Sequence, residues 1–104
     1  MSSHTLIPDA TRIAIIGGGL LGRLLALELS DQGCAVDLYD KGGPDAEFAA
    51  ARVAAAMLAP LAESAVTEHS VVRMGQHGLA RWPALIAQLA APVFLQQAGT
   101  MVVW

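Results

Sequence analysis

The sequence predicts an α/β fold nucleated by a strand–helix–strand unit with parallel strands. Three observations predict it. A short apolar run, Ile13-Ala14-Ile15-Ile16, leads straight into Gly17-Gly18-Gly19. Leucines at helical spacing follow (Leu20, Leu21, Leu24, Leu25, Leu27), with Glu28, Asp31 and Gln32 on the other side. A second short run, Ala35 to Asp40, then alternates Val36 and Leu38 with Asp37 and Tyr39. Strand, helix and parallel strand make one right-handed crossover.

Taken in order, residues 1–11 are polar, contain Pro8 and Asp9, and read as a flexible arm. In Gly17-x-Gly19-x-x-Gly22 each glycine has its own physical task. Gly17 turns the chain sharply off the strand, and Gly19 has no Cβ to obstruct an anion approaching the backbone. Gly22 lets the helix pack closely on the sheet. The helix start, at Leu20 and Leu21, offers N–H groups and a positive dipole end to that anion. Arg23 in the first turn is read as either a solvated side chain or a supplementary phosphate contact. Gly33 stops the helix. Asp40 falls at the carboxyl end of the second strand, 23 residues after Gly17. That spacing is near the ~20 expected of an acid that takes a ribose hydroxyl in a dinucleotide site. The plain alternative is an ordinary βαβ turn with a solvated Asp.

Lys41-Gly42-Gly43-Pro44-Asp45 is a turn cluster, and the alanine-rich stretch 46–58 is expected to be a helix ended or bent by Pro60. Such a face allows close approach of backbone or a flat ligand. Residues 63–76 read as helical, with Val66, Val71, Val72 and Met74 as buried candidates and Gly75 and Gly78 as weak points. A helical pattern resumes over 79–91, with Pro83 at a kink or a fresh first turn. The tail, residues 93–104, reads as strand, turn, strand.

At 104 residues the chain is one small domain or a piece of a larger one. It is 55% hydrophobic but 14% charged, against about 25% in an ordinary soluble domain. So little charge on so small a chain implies either a surface covered by something else or part of its life spent in an apolar setting. A net charge of −3 with no Lys/Arg cluster argues against nucleic acid and anionic membrane surfaces. Arg23, Glu28, Arg52, Pro60 and Glu63 interrupt every apolar run before the ~20 residues a bilayer needs. The single Cys34 excludes an internal disulfide and suits the cytoplasm. His69 and His77 lie eight apart without a partner at ligand spacing, so no metal site is expected.

Several segments together resemble the amino-terminal part of flavin oxidoreductases of the D-amino-acid oxidase group. They are Ile15 to Gly22, Asp40, and above all Ala54-Ala55-Ala56-Met57-Leu58-Ala59-Pro60-Leu61-Ala62-Glu63. Leu79-Ala80-Arg81-Trp82-Pro83-Ala84-Leu85 and Gly99-Thr100-Met101-Val102-Val103 add to the likeness, which is greatest to the glycine oxidases of thiamine biosynthesis.

The resemblance implies a Rossmann-like FAD-binding domain over residues 12–92 and the first strands of a substrate domain over 93–104. It implies that Gly17, Gly19 and Gly22 meet the FAD pyrophosphate and Asp40 the ribose. Gly18, Leu20, Leu21 and Lys41 complete that end of the site, and Ala56, Met57 and Leu58 line the isoalloxazine. Two departures stand out. Ala56 occupies a place where the family usually has glycine, so a backbone needing positive φ would be strained there. Ala50, Ala51, Arg52 and Val53 stand where hydroxyl side chains are usual, with Arg52 as a substitute cation.

Family enzymes are several times longer. The implied activity of a full-length enzyme is oxidative deamination of a small amino acid or amine, with hydride passing from the α-carbon to the flavin and O₂ reoxidising it. No residue of this chain is nominated as catalytic, and the isolated chain is expected to be inactive. Its uncovered apolar faces leave room for a homo-oligomer. A non-catalytic nucleotide-binding module and an NAD-dependent dehydrogenase fragment are the alternatives.

Overall fold

A computed structural model describes residues 11–104; of the predicted arm, residues 1–10 lie outside them. The chain divides into two compact units, one ending at Ala56 and the other running Met57–Trp104.

In the first unit, strand β1 (Arg12–Ile16), helix α1 (Leu20–Asp31) and strand β2 (Ala35–Tyr39) form the expected crossover. The strands pair in parallel, with Arg12 opposite Ala35 and Ile16 opposite Tyr39. The Gly17 N–H donates to the Tyr39 carbonyl at 2.8 Å, so pairing runs to the first glycine. Ile15, Leu29 and Cys34 form the buried cluster, with Ile13, Ala26 and Val36 packed on it. Burial of Cys34 accords with a structural thiol. Arg12 and Asp37 form an exposed ion pair at 2.8 Å across the strands, which raises the Arg12 pKa through the hydrogen bond and the charge of Asp37.

The end of α1 shows why Gly33 was legible as a stop. Gly33 has φ +88°, a left-handed value glycine adopts without a Cβ penalty. Its N–H donates to the Ser30 carbonyl at 3.0 Å, and the next N–H, of Cys34, reaches back to Leu29 at 3.1 Å. This is the Schellman pair of bonds. The usual apolar contact accompanies it, because Leu29 and Cys34 belong to one cluster.

The helix expected over 46–58 does not form. The chain makes successive tight turns there, with N–H groups of Ala46, Ala49 and Arg52 each donating three residues back, and only one short 3₁₀ turn at Ala50–Arg52. Ala46 and Ala56 take left-handed φ values of 47° and 58°. Alanine favours helix, but an alanine-rich segment has little side chain to bury, and nucleation is costly without tertiary support. Specific contacts hold the turns instead: Arg52 Nε donates to the Asp45 carbonyl at 3.0 Å, and the Lys41 ammonium lies 5.0 Å from the Phe48 ring centroid.

The second unit is built on helix α2 (His69–Ala87), preceded by a 3₁₀ turn at Ser64–Val66. One helix replaces the two expected. It passes through Gly75, Gly78 and Pro83. Gly75 has a packing reason, since a Cβ there would stand 2.9 Å from Pro60 Cβ. Of the four residues expected to be buried, only Val72 is; Val66, Val71 and Met74 are exposed. Ala59 is buried as well. No strand forms over residues 93–104, because a strand needs partner backbone and none among the described residues pairs with it. Phe94, Met101, Val103 and Trp104 lie exposed. Among the described residues no helix is long and apolar enough to cross a membrane.

Candidate functional site

The bend between β1 and α1 is set by three consecutive peptide planes, each held by an identifiable contact. Gly17 has φ +110°, which only glycine adopts readily. The next N–H, of Gly18, donates to Asp40 Oδ2 at 2.8 Å. The carbonyl of the same peptide, on Gly17, lies where a Cβ on Gly22 would come within 1.9 Å of it. The third glycine therefore admits the turn's own carbonyl as well as Ile15 of the sheet, 3.5 Å from the same point. The Gly18 carbonyl accepts from Arg23 Nε, and the Gly19 carbonyl from the Arg23 backbone N–H at 3.0 Å.

Gly19 differs from its neighbours. It is the N-cap of α1, with φ −74° and ψ −169°, a conformation open to any residue. A Cβ built on it meets no heavy atom within 4 Å. The fold does not need glycine there; a group lying against the backbone would. No side chain caps the helix and no acid stands in its first turn. The first-turn N–H groups have no intrahelical acceptor and remain suited to an external anion.

Asp40 follows β2 directly and is half-buried. Its Oδ2 accepts from Gly18 N–H and its Oδ1 from Gly42 N–H at 2.7 Å. These two backbone donors, Gly42 first, hold its carboxyl below the usual carboxylate range, and the charges of Arg23 and Lys41 act in the same direction. A carboxylate offers about four lone-pair sites, so acceptor capacity remains for ribose hydroxyls. The bend and Asp40 thus fit the ADP part of an FAD molecule, with Gly19 leaving backbone open to the pyrophosphate.

The predicted residues Gly17, Gly18, Gly19, Leu20, Leu21, Gly22, Asp40 and Lys41 all belong to the first unit, as do Arg52 and Ala56; Met57 and Leu58 begin the second. The Leu20 and Leu21 side chains are exposed. Ala56 takes positive φ, the strained case for a residue with a Cβ. Met57 and Leu58 border a cavity of about 250 Å³ in the second unit, with Pro60, Val72, Gly75 and Trp82.

Three features escaped sequence reasoning. Gly18 is tightly packed, because a Cβ there would lie 3.0 Å from Asp40 Cβ and that side chain would have to shift by a few tenths of an ångström; the unbroken Gly-Gly-Gly was the available signal. Gly42, a turn residue by sequence, also donates its N–H to Asp40 Oδ1. Arg23 is not simply solvated: it bridges the Gly18 carbonyl at 2.6 Å and the Pro44 carbonyl at 2.7 Å.

Comparison with known proteins agrees with this geometry. Residues 12–104 match the family described as FAD dependent oxidoreductase. The nitric oxide reductase FlRd-NAD(+) reductase of Escherichia coli O1:K1 / APEC is 35% identical over 74 residues, 71% of this chain and 17% of that protein. The protein of the same name from Enterobacter sp. (strain 638) is 36% identical over 76 residues, 73% of this chain and 18% of that protein. The matched stretch is less than a fifth of the length of these curated relatives. No solved structure matches the chain.

Proposed function

The chain belongs to the FAD-dependent oxidoreductase family, and from that premise we propose that it is the cofactor-binding front of an amino-acid or amine oxidoreductase of glycine-oxidase type. FAD is the cofactor of the family. One observation carries its placement: a helix N-terminus opened by Gly19, whose missing Cβ serves no packing, beside a carboxylate anchored to the same turn. Gly17 and Gly22 shape the bend, Gly19 and the first turn of α1 receive the pyrophosphate, and Asp40 receives the ribose. On this reading residues 12–92 are the amino-terminal portion of the FAD domain, and residues 93–104 open the substrate domain.

When bound, FAD supplies two-electron transfer. The chain's own residues bind and orient it. The amino-acid substrate is supported by the likeness of Ala54 to Glu63 and of Leu79 to Leu85 to the glycine oxidases. A second reading is favoured by the names of the relatives, under which the intact protein exchanges electrons with NAD(+).

Anaerobic mixing of the intact flavoprotein with glycine or other small amino acids, and separately with NADH, decides between them. Bleaching of the visible flavin band by an amino acid supports the first reading. Bleaching by NADH alone transfers the protein to the second. An intact protein that takes up no flavin overturns both.

A further inference from the structure

The Arg23 guanidinium makes one local and one long-range contact, neither of which the glycine motif requires. Its Nε donates to the Gly18 carbonyl at 2.6 Å and its Nη2 to the Pro44 carbonyl at 2.7 Å. A cation in the first turn of a helix is unfavourable to the dipole, so its place there calls for a compensating role. A trans peptide is planar, with its C=O and N–H pointing in opposite directions. Gly18 C=O and Gly19 N–H share one such plane. Glycine on both sides leaves that plane free to rotate, because neither residue has a Cβ to restrict it. Drawing the Gly18 oxygen toward Arg23 therefore fixes the Gly19 N–H in the opposite direction, away from the guanidinium.

We propose that Arg23 is a positioning residue for pyrophosphate recognition, locking the Gly18–Gly19 peptide so that the Gly19 N–H is aimed at the anion before it arrives. This rests on the reading of the bend as the ADP half of the FAD site. The second anchor makes the lock rigid. Pro44 lies in the turn that also supplies the Gly42 N–H to Asp40, so Arg23 and Asp40 tie the glycine bend to the same turn from two sides. Asp40 fixes the preceding peptide through its N–H, and Arg23 fixes the next through its C=O. Pre-setting the donor removes an ordering cost that binding would otherwise carry. The side chain acts through the backbone, as a fork between two carbonyls, a geometry that arginine provides and lysine does not.

The test uses the intact protein freed of flavin and titrated calorimetrically with FAD, ADP and adenosine. Arg23→Met keeps the apolar stem and removes both bonds. Its Kd for ADP is expected to rise about tenfold, the scale of one misaimed charge-assisted hydrogen bond. Its Kd for adenosine, which has no phosphate, is expected to stay near the wild-type value. Arg23→Lys is expected to behave like Arg23→Met. Equal weakening of adenosine and ADP would mean general loosening and overturn the proposal, as would full recovery by lysine, which would make the charge itself the active property. A wild-type reading independent of any variant comes from ¹⁵N-glycine labelling. The Gly19 amide resonance is expected to move when ADP is added, and an unmoved Gly19 overturns the lock even if ADP binds. If the wild-type protein binds neither ADP nor FAD, the proposed function falls as well, which separates the two failures.

Discussion

Gln97 donates its side-chain amide to the carbonyl oxygen of Leu79 at 2.9 Å, and Leu79 is the acceptor that Pro83 leaves without its helical donor. In a continuous α-helix the N–H of residue 83 would bond the carbonyl of residue 79, but proline has no N–H. A side chain from the tail takes its place.

This pairing predicts a specific coupling. Gln97→Ala is expected to destabilise by about 0.5–1.5 kcal/mol, the ordinary net value of one hydrogen bond. Pro83→Ala restores the backbone donor and is expected to stabilise α2 by roughly 1–3 kcal/mol. In the Pro83→Ala background the Gln97→Ala cost should vanish. Urea denaturation of the four proteins checks this, and additive effects would show that the two residues do not share one acceptor.

The glycines of the bend should separate by role. Gly22→Ala would drive a Cβ into the Gly17 carbonyl, so a loss of several kcal/mol or failure to fold is expected. Gly19→Ala meets no atom and costs the fold about 0.5–1 kcal/mol as an N-cap change. Its effect should appear in FAD affinity, as a loss of about tenfold or more where backbone approach is blocked. Thermal melts and flavin titration of the two variants distinguish these outcomes.

Backbone strain at the two left-handed alanines predicts different responses to glycine. Ala56 is exposed with φ 58°, so Ala56→Gly is expected to stabilise by about 1 kcal/mol. Ala46 has φ 47° but is buried, and deleting its methyl loses ~0.8 kcal/mol of burial, so Ala46→Gly should be close to neutral. Denaturant midpoints of the two variants give the comparison.

Acid should act on the bend through Asp40. Its folded pKa is lowered by Gly42 and Gly18 N–H groups, so the folded state favours the carboxylate. The stabilisation is complete above the unfolded value of about 3.9 and is lost as pH falls through the lower folded value. Stability measured across that acid range should decline in the wild type, and Asp40→Asn should remove Asp40's share of the slope.

The first half of the fold was legible because its determinants are local. Ile13 to Ile16, the glycine spacing and the Gly33 stop each impose their geometry within a few residues. Asp40 was legible as the acid beside the bend because its place at a strand end follows from that register. Arg23 was not, since its two acceptors are backbone carbonyls that only the folded turn brings within reach. Residues 46–58 misled for the converse reason: alanine propensity is a weak local preference, and contacts from Arg52 and Lys41 overrule it.

By itself, then, the sequence determined the crossover unit, the bend at its centre and the acid beside it, because sterics at glycine and a short apolar run act locally. Tertiary structure alone decided which peptide planes are clamped and by which side chains. It also decided that α2 runs unbroken through Pro83, and that residues 93–104 stay unpaired among the described residues. Those outcomes depend on donors and acceptors far apart in the chain, whose meeting no local preference encodes.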